Sequence, residues 1–196
     1  MRPTSDTAGM AAAHSLTNHF LIAMPGMADP NFTQTVTYII RHSGEGAQGI
    51  VINRPTNMHL ARVFEQLKFQ CSDAAIEVRP VLQGGPIETE QGFVIHRPCG
   101  NWEYTQQISE RVHITNSRDI LAAMARGEEP RTAIVALGYA GWGAGQLEAE
   151  IAANAWLTVE SNEAVIFDVP YAERWRAAGR LLGIDVMKLG VDAGHA

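Results

Sequence analysis

The sequence predicts an α/β to α+β fold built on a mixed sheet with helices on its faces. Strand patterns cluster in the first half of the 196-residue chain and alternate with helix patterns in the second half. Residues 49–52 are apolar throughout, which is typical of a central strand that is covered on both faces. Four apolar residues then recur at helical spacing, which predicts an amphipathic helix over 60–67.

The early strands are each followed by residues that end a strand. Residues 20–23 form a short apolar run that stops at Met24-Pro25-Gly26, and residues 35–40 are rich in β-forming residues with one apolar face. The run at 49–52 stops at Asn53-Arg54-Pro55, because proline lacks the N–H that a strand ladder needs. This boundary places Asn53 and Arg54 at the carboxyl end of a central strand.

The middle of the chain is less strongly patterned, and residues 70–112 are a candidate for a small sub-lobe. The composition of residues 81–83 and 92–96 indicates two strands. The turn at Gly84-Gly85-Pro86 predicts that these strands form a hairpin-like pair. A further short strand is expected at 112–114.

The second half carries clear helix boundaries. Ser117 begins a helix that runs to Ala125 and ends before Gly127. Residues 137–148 predict a strand, a glycine loop and a helix. Pro170 begins the last helix. The arginines of that helix are expected to face solvent: Arg174, Arg176 and Arg180.

The composition favours a soluble, cytoplasmic protein. Apolar residues make up 46% of the chain, enough for a core, and the formal net charge is −6. Because nucleic-acid binders usually carry a basic face, direct DNA binding is not expected. Cys71 and Cys99 form no zinc motif, and the chain has neither a signal-peptide core nor an apolar run of membrane-spanning length. Residues 1–15 are expected to form a disordered leader before a single domain at 16–196.

Three segments are candidates for a ligand site, because they lie at a strand end or expose bare backbone. Asn53 and Arg54 end a central strand, where the guanidinium could clamp a carboxylate. Gly84 and Gly85 could offer backbone N–H donors, and the glycine loop around Trp142 could do the same. The candidate ligand-binding residues are Asn53, Arg54, Gly84, Gly85, Gly138, Gly141, Trp142 and Gly143.

No residue pattern identifies a reaction or a cofactor. The glycine loop matches neither the P-loop nor GxGxxG, because Gln146 stands where the last glycine belongs. Glu148 and Glu150 lie two positions apart in the next helix, so they point in different directions and are expected to be surface carboxylates. His96 is expected to be structural, and there is no GxSxG nucleophile. We therefore expect no catalytic residue, no metal and no cofactor.

Several of these segments resemble the AlgH/YqgE family of bacterial proteins. The most specific strings are VINRP at 51–55 and LGYAGWGAGQLE at 137–148, and the resemblance extends from about Leu16 to Ala196. It implies a cytosolic α/β protein with a partly curled mixed sheet flanked by helices. One branch of the family is named as a candidate transcriptional regulator of exopolysaccharide (alginate) production. The resemblance brings no established activity or cofactor.

Two functions follow from the sequence. The first is a non-enzymatic regulatory or interaction module that acts through an unidentified protein partner. The second is a protein or enzyme that binds a small carboxylate or polar metabolite with the Asn53-Arg54, Gly84-Gly85 and Gly138-to-Trp142 loops. A single pocket lined by all three loops would favour the second function. Dispersed loops, or a Trp142 that fills the space, would favour the first.

Overall fold

The computed structural model describes residues 15–189, within which there are ten strands and six helices. The strands are β1 (His19–Ala23), β2 (Val36–Ser43), β3 (Gly46–Val51), β4 (Pro55–His59), β5 (Pro80–Gln83), β6 (Ile87–His96), β7 (Thr105–Gln107), β8 (His113–Thr115), β9 (Ala133–Gly143) and β10 (Trp156–Glu160). The helices are α1 (Leu60–Leu67), α2 (Ala74–Glu77), α3 (Arg118–Ala125), α4 (Gln146–Ala152), α5 (Glu163–Phe167) and α6 (Arg174–Leu181). The predicted leader at 1–15 lies outside the described residues except for Ser15.

The strands form one curled, largely antiparallel sheet in the order β10-β1-β2-β3-β9-β6-β8-β7. The longest strand, β9, has 11 residues and lies near the centre of this order. One of its edges pairs with β3 over residues 140–143 and, in parallel, with β5 at Ala136 and Leu137, whereas the other edge pairs with β6. The parallel pair makes the sheet mixed, so the fold class predicted from the sequence is confirmed.

The glycine-rich segment 138–143 is part of a strand, and its prediction as a loop is wrong. β9 runs through this segment to Gly143. Trp142 is buried while Gly141 and Gly143 are exposed, which is the two-residue alternation of a strand. Across the ladder, Gly143 pairs with Gly46 of β3. The sequence misleads because glycine is rare inside strands and usually marks turns.

The predicted hairpin-like pairing of 81–83 with 92–96 is also wrong. β5 and β6 do not pair with each other, because β9 lies between them and pairs with both. The short connection at Gly84-Gly85-Pro86 therefore crosses the backbone of β9 from one edge to the other. Since β5 and β6 belong to the central sheet, residues 70–112 do not stand apart as a sub-lobe.

Helices pack on both faces of the sheet. α5 and α6 cover one face, where Trp175 packs in the same cluster as Tyr38. α1 and α3 cover the opposite face, where Phe64 and Met124 pack in one cluster with Val135 of β9. Full burial of an apolar side chain of this size stabilises the fold by about 1.5–3 kcal/mol. The predicted helix over 60–67 is confirmed, and its apolar stripe forms part of this second core.

Arg174 is buried, and its prediction as a solvent-facing arginine is wrong. Its side chain is 3% exposed, and it donates to the carbonyl oxygens of Ile52 at 2.6 Å and Val169 at 2.9 Å. The guanidinium also lies 4.3 Å from the ring centroid of Tyr171. Burial lowers the pKa of Arg174 to about 10. The residue therefore joins the start of α6 to the carboxyl end of β3.

Candidate functional site

Asn53 and Arg54 hold the loop between β1 and β2. The carboxamide oxygen of Asn53 accepts a hydrogen bond from Val36 N at 2.8 Å, and its NH₂ group donates to the carbonyl of residue 34 at 2.9 Å. Arg54 donates to the carbonyl oxygens of residues 31 and 33, at 2.8 and 3.0 Å. Burial lowers the pKa of Arg54. Both side chains thus satisfy main-chain groups of the β1–β2 loop and of the first residue of β2.

Gly84 and Gly85 pack directly on the β9 backbone at Gly138 and Tyr139. Gly84 N donates to Leu137 O at 2.8 Å, which fixes the crossing in place. A Cβ added at Gly138 would lie 2.6 Å from Gly85 O, and one added at Gly85 would collide with the carbonyl group of Tyr139. Close backbone approach therefore accounts for these glycines.

Trp142 occupies the space at the other end of β9 with its own ring. The ring stacks on Phe32, with centroids 6.2 Å apart, and meets Trp156 edge-on at 6.0 Å. The indole N–H groups of Trp142 and Trp156 both donate to Oε2 of Glu150, at 2.9 and 2.8 Å. Glu150 is therefore the acceptor for two buried tryptophans, not the surface carboxylate that the sequence predicts.

The structure thus brings Gly84 and Gly85 onto Gly138 and gives the other predicted site residues different neighbours. Asn53 and Arg54 contact the β1–β2 loop, while Gly141 and Trp142 border a separate hollow of about 200 Å³. Gly143 lies at the end of β9, where its N–H donates to the side chain of Gln146. Ligand binding by these residues stays a prediction, and each has a structural role that needs no ligand.

A larger cleft of about 560 Å³ lies between α1, α3 and the strands β6 and β9, and we call it the α1–α3 cleft. Its floor is apolar and is formed by Val63, Leu67, Val94, Leu121, Val135 and Leu137. Its rim is mostly polar and includes Gln66, Thr89, Glu90, Asn116, Ser117 and Arg118. An apolar floor with a few polar groups around it is the usual composition of a small-molecule site.

Two local features keep the α1–α3 cleft open. β6 shifts register against β9 between Ile87 and Gly92, so the strand bulges beside the cleft. Gly92 has no side chain to fill the gap, and the nearest atom to a Cβ built there is a methyl group of Leu137 at 3.9 Å. The sequence gives a weak signal for both features. The polar stretch before residue 92 marks the bulge, and a glycine inside an otherwise β-rich run marks the missing side chain.

At the start of α3, the rim of the cleft carries the exposed side chain of Arg118. The neighbouring carboxylate, Asp119, already has hydrogen-bond donors of its own. Asp119 accepts hydrogen bonds from Ser117 Oγ at 2.5 Å, from Ile120 N at 2.9 Å and from Glu103 N at 2.9 Å. Burial alone would raise the pKa of Asp119, but these hydrogen bonds outweigh it and the pKa lies below its ordinary value. Arg118 lies over the ring of Phe69, 5.9 Å from its centroid.

A second cleft, of about 610 Å³, is lined by Asn18 and Ser161, and Asn18 is the hydrogen-bond acceptor of the Tyr38 hydroxyl group. Tyr38 donates to Asn18 Oδ1 at 2.9 Å, and Ser161 donates to the same oxygen at 2.7 Å. Burial raises the pKa of the Tyr38 phenol above its ordinary value. The other lining residues are mainly polar or charged, so the α1–α3 cleft fits the composition of a small-molecule site better.

His96 and the two cysteines are the remaining residues that the sequence analysis names. His96 is fully buried, with Nε2 2.9 Å from Thr115 Oγ1 and Nδ1 2.8 Å from Arg97 O, and burial lowers its pKa. Cys71 and Cys99 are free thiols. Residues 15–189 contain no group of three or more His, Cys, Asp or Glu side chains arranged to hold a metal ion.

Within the same residues, every helix is too short or too polar to cross a membrane.

Comparison with known proteins decides the family. A family model described as AlgH-like matches residues 20–187. The chain is 52% identical over 187 residues to a UPF0301 protein of Thioalkalivibrio sulfidiphilus, covering 95% of this chain and all of that protein. This chain belongs to the AlgH-like family. The AlgH-like chain is also 52% identical to a UPF0301 protein of Saccharophagus degradans, over 93% of its own length and 89% of that protein.

Solved structures agree with this assignment. The solution structure of the AlgH protein from Pseudomonas aeruginosa matches the AlgH-like chain with a TM-score of 0.76 and 45% identity, over the full length of both chains. A crystal structure of a Corynebacterium diphtheriae protein matches with a TM-score of 0.68 over 92% of this chain and 94% of that one. At 17% identity, the second match shows a shared fold alone.

Proposed function

We propose that this AlgH-like protein is a non-enzymatic regulatory or interaction module that binds a small amphipathic molecule in the α1–α3 cleft. The observation that supports this proposal is the cleft itself. Its volume of about 560 Å³ lies within the range of about 300–1,000 Å³ that small-molecule sites occupy. The six floor residues would bury the apolar part of the ligand, and the polar rim would orient its polar end.

The side chains around the cleft favour binding over catalysis. Within the part of the chain that the structure describes, the lining includes no histidine, cysteine, lysine or tyrosine, which are common general bases or nucleophiles near neutral pH. Ser117 lines the cleft, and its hydroxyl group donates to Glu103 O at 2.6 Å and to the Asp119 carboxylate. Among residues 15–189, the hydrogen-bond partners of its hydroxyl group include no histidine that could act as a base.

The proposal places this protein in the cytoplasm and gives it a small molecule or protein as partner instead of DNA. A net charge of −6 opposes the phosphate backbone. In a fluorescence anisotropy titration with a labelled duplex, we expect sequence-independent binding with a Kd no tighter than about 10⁻⁶ M at physiological salt. Salt-resistant nanomolar binding to one sequence would contradict this part of the proposal.

Binding of the neutral fluorescent probe N-phenyl-1-naphthylamine tests the cleft directly. The test variant is Gly92→Val, because a side chain on Gly92 enters open space beside Leu137. The matched control is Gly143→Val, which adds the same side chain to an open strand position at the far end of β9. We expect the wild-type protein and Gly143→Val to enhance probe fluorescence equally, and Gly92→Val to lose most of the enhancement while it keeps its unfolding temperature.

Other outcomes would redirect the proposal. If Gly92→Val binds the probe as the wild type does, the probe lies elsewhere and the α1–α3 cleft is not the site. If Gly143→Val alone loses binding, the probe binds near Gly143. That result would favour the ligand site that the sequence predicts at the glycine segment of β9.

A further inference from the structure

We propose that the ligand of the α1–α3 cleft carries a carboxylate, which binds to Arg118 at the rim while an apolar tail lies on the floor. This inference rests on the proposed function and adds the chemical class of the ligand. The observation behind it is the position of Arg118 beside the apolar floor of the cleft.

Among the described residues 15–189, Arg118 is the only positively charged one that lines the cleft. None of the ion pairs within residues 15–189 includes it, in contrast to Arg62 or Arg126, which pair with nearby glutamates. The ring of Phe69 supports the guanidinium at 5.9 Å and leaves its N–H donors free. A guanidinium presents two parallel donors that match the two oxygens of a carboxylate.

The nearest carboxylate on the same helix does not neutralise this position. Asp119 is turned towards Ser117 and Glu103, whose groups donate to it, and it does not line the cleft. The first residues of α3 also place the positive end of the helix dipole at this part of the rim, which adds to the attraction for an anion.

Among residues 15–189, Glu90 is the one acidic residue that lines the cleft. Arg118 lies near Val94, because Val94 pairs with Thr115 just before α3 begins. Glu90 is four residues from Val94 along β6, a distance of up to about 13 Å in an extended strand. The basic residue of the cleft therefore lies beside Val94 and the acidic residue lies further along β6, so a ligand carboxylate is favoured next to Arg118.

Three probes of equal chain length separate the head group from the tail: octanoate, 1-octanol and octylammonium. Each is titrated into wild-type protein that carries the neutral naphthylamine probe, and displacement of fluorescence gives its affinity. We expect octanoate to bind about fivefold more tightly than octanol, the ratio that an exposed ion pair supports. Octylammonium should bind more weakly than octanol.

The variant Arg118→Gln should remove the advantage of octanoate and leave octanol unchanged. The matched control is Arg62→Gln, an exposed arginine of α1 that does not line the cleft. In that control, octanoate should keep its preference. A variant Glu90→Gln should bring octylammonium closer to octanol.

The possible results separate the two proposals. If octanol competes as well as octanoate, or octylammonium competes best, the carboxylate inference is wrong while binding in the cleft stands. If Arg118→Gln lowers the affinities for octanol and octanoate by the same factor, Arg118 shapes the cleft but does not bind the carboxylate. The inference is then also wrong. If none of the three displaces the probe, the carboxylate inference is wrong, while the response of probe binding to Gly92→Val still decides whether the cleft is a binding site.

Discussion

The imidazole Nε2 of His42 lies 2.7 Å from Oε1 of Glu148, which joins β2 to α4 across 106 positions of sequence. The other ring nitrogen, Nδ1, accepts a hydrogen bond from Leu16 N at 2.9 Å. Since Nδ1 is an acceptor, the proton of a neutral ring lies on Nε2 and points at the carboxylate. His42 thus ties the first described residues of the chain to the first turn of α4.

The contact predicts a contribution of Glu148 to acid unfolding. Its own backbone N–H and then His42 lower the pKa of Glu148 below its ordinary value of 4.5. A carboxyl group with a lower pKa in the folded state adds stability above pH 4.5, and this stability is lost as the pH falls through the folded pKa. Glu148→Gln should therefore lose less stability than the wild type between pH 7 and pH 3, measured by urea unfolding.

The control for this experiment is Glu77→Gln, a glutamate of α2 that makes no ion pair within residues 15–189. It should follow the wild-type pH profile. The difference for Glu148 should be small, because its side chain is 51% exposed and solvent screens the contact. Identical profiles for all three proteins would show that the His42 contact does not contribute to acid stability.

The crossing of β9 predicts which glycine is indispensable. Gly138 has a φ of +75° and touches Gly85 O, so Gly138→Ala meets both backbone strain and a clash. We expect it to lower the free energy of unfolding by at least about 1–3 kcal/mol. Gly143→Ala is the control, because it adds a Cβ in open space and should change stability by less than about 0.5 kcal/mol. Equal denaturation midpoints would refute the role of the crossing.

The sequence predicts those parts of the fold that depend on local periodicity. The stripe of α1 and the apolar run of β3 are visible in the chain because each needs only its own residues. The insertion of β9 between β5 and β6 is not visible, because strand order depends on pairings between distant residues. The same holds for Arg174, whose carbonyl partner at Ile52 lies 122 positions away.

The candidate cleft cannot be predicted from local sequence patterns either, because it depends on contacts between residues that are distant in sequence. Its floor combines residues from α1, β6, α3 and β9, none of which marks a site by its neighbours in sequence. The glycine segments do stand out in the sequence, but the structure uses them for backbone contact at the centre of the sheet. A specific glycine-rich motif can therefore indicate close backbone packing as readily as a ligand site.

Burial of Arg174 predicts a large difference between neighbouring arginines of α6. Arg174→Ala would leave the carbonyl oxygens of Ile52 and Val169 without their donor and open a gap beside Tyr171. We expect a loss of at least about 1–3 kcal/mol in the free energy of unfolding. Arg176→Ala, at an exposed position of the same helix, should cost less than about 0.5 kcal/mol. A comparable loss in the two variants would contradict the anchoring role of Arg174.

Glu150 should contribute more to stability than Glu148, although both lie on α4. The indole N–H groups of Trp142 and Trp156 donate to one oxygen of Glu150, and these rings are 6% and 2% exposed. Glu150→Ala leaves two buried donors without an acceptor, at a cost of at least about 1–3 kcal/mol. Glu150→Gln keeps one carbonyl oxygen as acceptor and should cost less, while Glu148→Ala should cost least. Urea unfolding followed by tryptophan fluorescence measures all three, and the order fails if Glu150→Ala unfolds at the same urea concentration as Glu148→Ala.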